Sequence, residues 1–299
     1  MKVAIVGGAG GVGASTAFNL ALARGSHEVA IVDSRPEMVT SHLMDFEQAL
    51  ELAPGCDLRA GELGDLAHAD VAVLLSSAPL VANIPRIRYL AENAVIADAF
   101  ADALPSGWGG VAIVVTNPVD PLVTRLQRRT GIDRARVLGY TLNDSLRLRT
   151  GLANALGVAH GQVEAWVIGE HGDLSVPLYG RVEVGGLPVE LTSAQIAIAE
   201  EYRRNWYPRH VALDSGRSST WTSGLGVARM ISALDGPGEL WPASLVLEGE
   251  YGIEGVAVTV PATIGRGGAA QVHEWDLSAA ERAALHASAE FVRAAADGA

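Results

Sequence analysis

Apolar and polar positions along the first half of the chain switch repeatedly between two periods. Short apolar runs at 3–6, 29–32, 71–75 and 111–115 have the length of buried strands. Between them, helical spacing predicts helices over 14–23, over about 38–52 (stopped by Pro54-Gly55) and over about 84–103. Continuous apolar strands alternating with helices imply a parallel sheet covered on both faces, a doubly wound α/β arrangement. The second half is mixed. A helix is expected over 144–156. Thr192-Ser193-Ala194-Gln195 is a capping box that opens a helix running towards Asn205. Segment 211–234 reads as another long helix, interrupted near Gly216. Segments 245–247 and 256–260 read as strands joined through Gly252 and Gly255. Ser278-Ala279-Ala280-Glu281 opens a terminal helix with Leu285, Ala289 and Val292 on one face. The pattern changes near Gly139, which divides the chain into a first domain, 1–139, and a mixed α+β domain, 140–299.

The glycines after the first strand carry the first chemical signal. Gly8-x-Gly10-x-x-Gly13 sits between a strand and a helix. There only glycine allows a tight turn and a close approach to a pyrophosphate, which the helix N-terminus favours. Asp33 ends the next strand about 20 residues on, where a carboxylate accepts from a ribose hydroxyl. A dinucleotide is therefore expected on Gly8, Gly10, Val12, Gly13 and Asp33. Asp33 would repel a 2′-phosphate, which favours NAD over NADP. Arg35 could accommodate that phosphate, but is expected to be a solvated surface residue.

Downstream, His171 lies in Gly169-Glu170-His171-Gly172-Asp173, and Asp144 and Arg147 stand one helical turn apart. A histidine titrates near neutrality and can take the proton of a reacting hydroxyl. The planar fork of Arg147 suits a two-pronged grip on a carboxylate. Asn117 follows a strand, at the edge where open α/β sheets bind ligands. Each feature alone has a plainer explanation. Glycines can simply pack a helix on a strand, an Asp-x-x-Arg pair can be a surface ion pair, and a loop histidine can be a cap. Their order behind a nucleotide loop is what points to hydride transfer.

Composition narrows the class. A net charge of -12 argues against a nucleic-acid footprint. One cysteine, Cys56, cannot form an internal disulfide and fits a reducing compartment. No apolar run approaches the ~20 residues needed to span a bilayer, and Met1-Lys2 opens nothing like a secretory leader. The expected place is the cytoplasm, the expected partner a small molecule, and no metal is expected.

Taken together, the glycine loop, Asp33, Asn117-Pro118-Val119-Asp120, Thr141-Leu142-Asn143-Asp144-Ser145-Leu146-Arg147 and Gly169-Glu170-His171-Gly172-Asp173 make the chain resemble the lactate/malate dehydrogenase family over nearly its whole length. The resemblance implies a Rossmann-type cofactor domain and a catalytic domain, NAD as cofactor, and a homodimer or homotetramer. It implies Asp144 as the carboxylate that orients His171, and Asn117 as a contact to the reacting oxygen or the nicotinamide side. Counting back from Asn93, it places the carbonyl-polarising arginine on Arg86, with Arg88 as substitute, and the position facing the substrate's far end on Leu80. Leu80 departs from the family, which carries Arg there in malate enzymes and Gln in lactate enzymes. Leucine would leave a second carboxylate uncompensated. Gln48, where the family often has His, falls on a helix that the resemblance places against a partner subunit. The malate-type reading therefore stands beside a dehydrogenase for a bulkier apolar or specialised 2-hydroxy acid. A catalytically silent NAD-binding sensor or scaffold is the alternative of another class.

Overall fold

The computed structural model describes residues 1–23, 27–52, 56–78, 89–215, 217 and 219–298. Six parallel strands build the first half: β1 (Lys2–Val6), β2 (His27–Val32), β3 (Cys56–Ala60), β4 (Val71–Leu74), β5 (Val111–Val114) and β6 (Val137–Tyr140). They lie in the order β3-β2-β1-β4-β5-β6. The chain leaves β1 towards one edge and resumes at β4 on the other side, so a crevice opens at the carboxyl ends of β1 and β4. Helices α1 (Gly11–Leu22), α2 (Pro36–Ala49), α3 (Leu90–Asp102) and α4 (Val119–Thr130) connect these strands. Ile5, Ile31, Val73 and Ile113 are fully buried, which is why these strands read as unbroken apolar runs rather than alternating ones.

The second half adds α5 (Leu142–Leu156), β7 (Val163–Glu164), β8 (Val167–Gly169), β9 (Ser175–Pro177), β10 (Glu183–Val184), β11 (Leu187–Pro188), α6 (Ser193–Ala212), α7 (Thr220–Leu234), β12 (Glu239–Glu248), β13 (Glu254–Gly265), β14 (Gly268–Val272) and α8 (Ala279–Asp297). β12 pairs antiparallel with β6, and the sheet continues through β13, β8 and β9, with β14 on β13. Gly139 lies inside β6, paired with Val114 and Ser244. A Cβ there would come within 2.5 Å of Val119 and 2.8 Å of Ser244. The two halves thus meet within a strand, not at a linker. Leu285, Ala289 and Val292 are buried as α8 docks against β8 and β13, as its sequence face predicted.

Several elements differ from the pattern. α1 begins at Gly11, inside the glycine loop, and α3 begins at Leu90; the earlier part of the helix expected from 84 lies outside the described residues. α6 runs past Asn205 to Ala212 with Pro208 inside it, and α7 opens at Thr220. Segment 211–234 is therefore the tail of one helix and the whole of the next. β3 is an edge strand with a largely exposed, polar sequence, so it left no apolar run to read. Among the described residues no helix is long and apolar enough to cross a membrane.

Candidate active site

The glycine loop turns tightly off β1. Gly7 and Gly8 both donate to the Val32 carbonyl, at 2.8 and 3.1 Å, which ties the loop to the end of β2. A Cβ on Gly8 would meet Ile31 at 2.7 Å, and one on Gly13 would meet the Gly7 carbonyl at 2.5 Å. These two glycines let α1 pack on the strand turn. Gly10 differs: its Cβ would meet only the Gly7 carbonyl, at 3.2 Å. No side chain caps α1 at Gly10, so its first-turn N–H groups remain for an anion.

Asp33 is nearly buried, and its Oδ2 accepts from the Ala9 N–H at 3.1 Å. Arg35 is exposed, as expected, but it also pairs with Asp33. Its Nε donates to Asp33 Oδ1 at 3.0 Å, and its Nη2 to Oδ2 at 3.2 Å. Burial pushes the Asp33 carboxyl up, but the bonds from Arg35 and Ala9 outweigh it and leave the group below its ordinary range. A charged Asp33 at the end of β2, beside an uncapped helix start, fits the ribose and pyrophosphate of a dinucleotide.

Asn117 lies across the crevice. Its carbonyl accepts from Asn93 Nδ2 at 2.6 Å, and Asn93 Oδ1 accepts from the Ala78 N–H at 2.7 Å. Thr116 Oγ1 donates to the Ser76 carbonyl at 2.8 Å, and the Ser76 N–H donates to Val6 at 3.0 Å. The ends of β1, β4 and β5 are thereby stitched side by side. Asn117 Oδ1 is buried without a hydrogen-bond partner, an acceptor left for a ligand group.

His171 follows β8 in a loop held from several sides. The Glu170 N–H donates to the Ser288 hydroxyl of α8, and the His171 N–H to Asp120 Oδ2 at 2.7 Å. The imidazole Nδ1 lies 2.6 Å from Asp144 Oδ2. Arg147 Nη1 donates to Asp144 Oδ1 at 3.1 Å. His171, Asp144 and Arg147 side chains are 6%, 13% and 12% exposed, so this is not a solvated surface pair. Such a dyad fixes the proton on Nδ1 and leaves Nε2 to exchange a proton with a ligand hydroxyl. Asp144 sits in the first turn of α5, where the helix N-terminus favours its charge. Leu80, Arg86 and Arg88 lie outside the described residues.

The lactate/malate dehydrogenase NAD binding domain matches residues 1–139, and the lactate/malate dehydrogenase alpha/beta C-terminal domain matches residues 141–298. The chain belongs to the lactate/malate dehydrogenase family. It is 34% identical to an L-lactate dehydrogenase of Treponema denticola, over 98% of this chain and 96% of that one. It is also 34% identical to a malate dehydrogenase of Natronomonas pharaonis, over 97% of this chain and 96% of the relative. A solved malate dehydrogenase from Salinibacter ruber superposes with a TM-score of 0.86 at 31% identity, covering 99% of this chain and 97% of that one. The protein is thus an NAD-dependent oxidoreductase that interconverts 2-hydroxy and 2-oxo acids.

Within this family frame the structure adds side chains that sequence reasoning missed. Trp206 of α6 lies 4.3 Å from the Arg147 guanidinium and stacks on His210 at 5.0 Å between ring centroids. Nothing in the spacing of an exposed-looking helix announces that contact. Asp120 and Glu170 were legible only as members of motifs. Burial pushes Asp120 up to about 6, against the pull of the His171 N–H. Burial pushes Glu170 up to about 7, with the Asp120 charge adding to the shift.

Proposed function

We propose that His171 is the proton carrier, Asp144 its orienting carboxylate, and Arg147 the grip on the substrate's own carboxylate. The observation that carries this reading is the buried His171–Asp144–Arg147 chain, with contacts of 2.6 and 3.1 Å. In alcohol oxidation, Nε2 of His171 takes the hydroxyl proton, and Asp144 stabilises the imidazolium that results. In reduction the same atom returns the proton. Bound NAD supplies the hydride acceptor, held by Gly8, Gly10, Val12, Gly13, Asp33 and Asn117. Arg147 orients the 2-oxo acid by a two-pronged bond, with Trp206 holding the plane of its guanidinium. Arg86, or Arg88 in its place, polarises the carbonyl. Residues 1–139 serve the cofactor and 140–299 the substrate.

For the substrate's far end the family offers oxaloacetate or a 2-oxo acid with an apolar side chain. The aromatic wall of Trp206 and His210 beside Arg147 favours the second, as does Leu80. The chain works in the cytoplasm as a homodimer or homotetramer. Phe18 and Leu22 of α1, Met44 of α2, and Trp221 and Leu225 of α7 present an exposed apolar face that suits a second copy. The test is NADH oxidation across a panel of 2-oxo acids, repeated with NADPH. Turnover with NADH and an apolar 2-oxo acid is expected. Equal turnover with NADPH, or none with any 2-oxo acid, would reject the reading.

A further inference from the structure

We propose that Asp120 is a second carboxylate for His171, a positioning residue that clamps the histidine's backbone and whose charge decides how readily the imidazole keeps its proton. The inference rests on the reading of His171 as the proton carrier and extends it to the direction of the reaction.

His171 is approached by carboxylates from two helices. Asp144, in the first turn of α5, meets Nδ1 at 2.6 Å. Asp120, in the first turn of α4, meets the backbone N–H at 2.7 Å. Asp120 is 1% exposed; among the described residues, apart from the His171 N–H, the Ser244 hydroxyl is the only donor that faces it, beyond normal hydrogen-bond distance of Oδ1. A clamp needs only one acceptor oxygen, which an asparagine supplies without a charge. A buried carboxyl with so few partners is costly, and a function is the reason to carry it.

The groups around it make charge coupling unavoidable. Asp120 faces His171 and Glu170 from the loop after β8, and Asp144 from α5, whose own carboxylate is bridged by Arg147. Three carboxyls therefore lie around His171, one on its ring and one on its backbone N–H. Burial brings Asp120 to about 6, into the range where histidines change charge. Above that pH an ionised Asp120 stabilises the imidazolium, and below it a neutral Asp120 does not. An ionised Asp120 thus favours the form of His171 that can donate a proton to a carbonyl oxygen. Asp120 in this way favours 2-oxo acid reduction.

Asp120→Asn separates clamp from charge, because the amide oxygen still accepts from the His171 N–H. The alkaline limb of kcat/KM for 2-oxo acid reduction should move down by about half to one pH unit. Reduction at pH 7.5 should then fall about 3- to 10-fold, and hydroxy-acid oxidation should fall less. A second readout does not depend on turnover. In protein with labelled histidine, the His171 ring signal is identified by its loss in His171→Gln. Its titration midpoint should drop by the same amount in Asp120→Asn. If that variant does not fold, the unmodified protein still decides: the His171 ring and Asp120 carboxyl signals should each show the other's inflection. An unmoved midpoint, or two independent single-step titrations, would reduce Asp120 to a backbone clamp. Absence of turnover combined with the shifted midpoint would instead count against the enzymatic reading alone.

Discussion

At the scale of single residues, Arg147 works between two neighbours of different kinds. Asp144 draws one edge of its guanidinium, at 3.1 Å, and Trp206 covers a face, at 4.3 Å. Arg147→Lys keeps the charge but loses the fork, so KM for the 2-oxo acid should rise by about 100-fold, the effect of losing a charge-assisted two-pronged bond. Trp206→Ala keeps the fork but frees its plane. KM should rise about 3- to 10-fold with kcat little changed, as a cation–π contact of ~1 kcal/mol implies. Steady-state kinetics on both variants check this, and a Trp206→Ala enzyme with unchanged KM would remove the ring from the substrate side. The core trio was legible in the chain because His171, Asp144 and Arg147 belong to motifs whose chemistry demands those residue types. Trp206 was not legible, because a cation–π contact between α5 and α6 depends on how the two helices pack. The pairing of exposed Arg35 with Asp33 was not legible for a similar reason. Sequence shows an arginine beside Asp33, and only the fold shows it bonded there.

At the scale of elements, most strands buried on both faces were readable, while the edge strand β3 and the interior strand β6 were not. β3 pairs along β2 with exposed, polar positions and offers no apolar run. β6 is a buried four-residue strand whose apolar run is interrupted by Gly139. The join between α6 and α7 was misread because Pro208 sits inside a helix instead of ending one. The glycine loop lies between β1 and α1 as its pattern predicts, and its glycines differ: Gly8 and Gly13 are closely packed, whereas Gly10 has only the Gly7 carbonyl beside it. Gly13→Ala places a methyl 2.5 Å from the Gly7 carbonyl and 2.6 Å from Gly8 Cα. Backbone cannot step aside cheaply, so α1 must shift, at a cost of about 1–3 kcal/mol. Thermal unfolding should show a Tm lower by several degrees, and fluorescence titration should show weaker NADH binding. Unchanged values for both would mean that the loop tolerates α1 at a greater distance.

At the scale of the whole molecule, pH acts on the fold as well as on the site. His27 opens β2 and is 4% exposed, with neither ring nitrogen hydrogen-bonded. Burial and the nearby N-terminal charge lower its proton affinity below the ordinary 6.5, and Asp235 only partly opposes them. The unfolded chain therefore takes this proton more readily than the folded one. The contribution is intact above about 6.5 and is lost as pH falls towards the folded value. Asp120 and Glu170 act in the opposite sense, because burial raises them and protonation suits the fold. Comparison with His27→Phe isolates the histidine: between pH 7 and 5 the unmodified protein should lose about 2–4 °C more in Tm than the variant. Parallel curves would remove His27 from the acid response.

The central claim is that one buried imidazole, oriented by Asp144, moves the substrate proton while a separate loop holds the cofactor. The most direct measurement compares unmodified protein with His171→Gln, reading NADH oxidation by a 2-oxo acid and NADH binding by fluorescence. Loss of a general acid–base group predicts a fall in kcat/KM of about 100- to 10,000-fold, with NADH affinity within about twofold because Gly8, Gly10, Gly13 and Asp33 are untouched. A variant that keeps more than about a tenth of the activity, or that loses NADH binding along with turnover, would contradict the account.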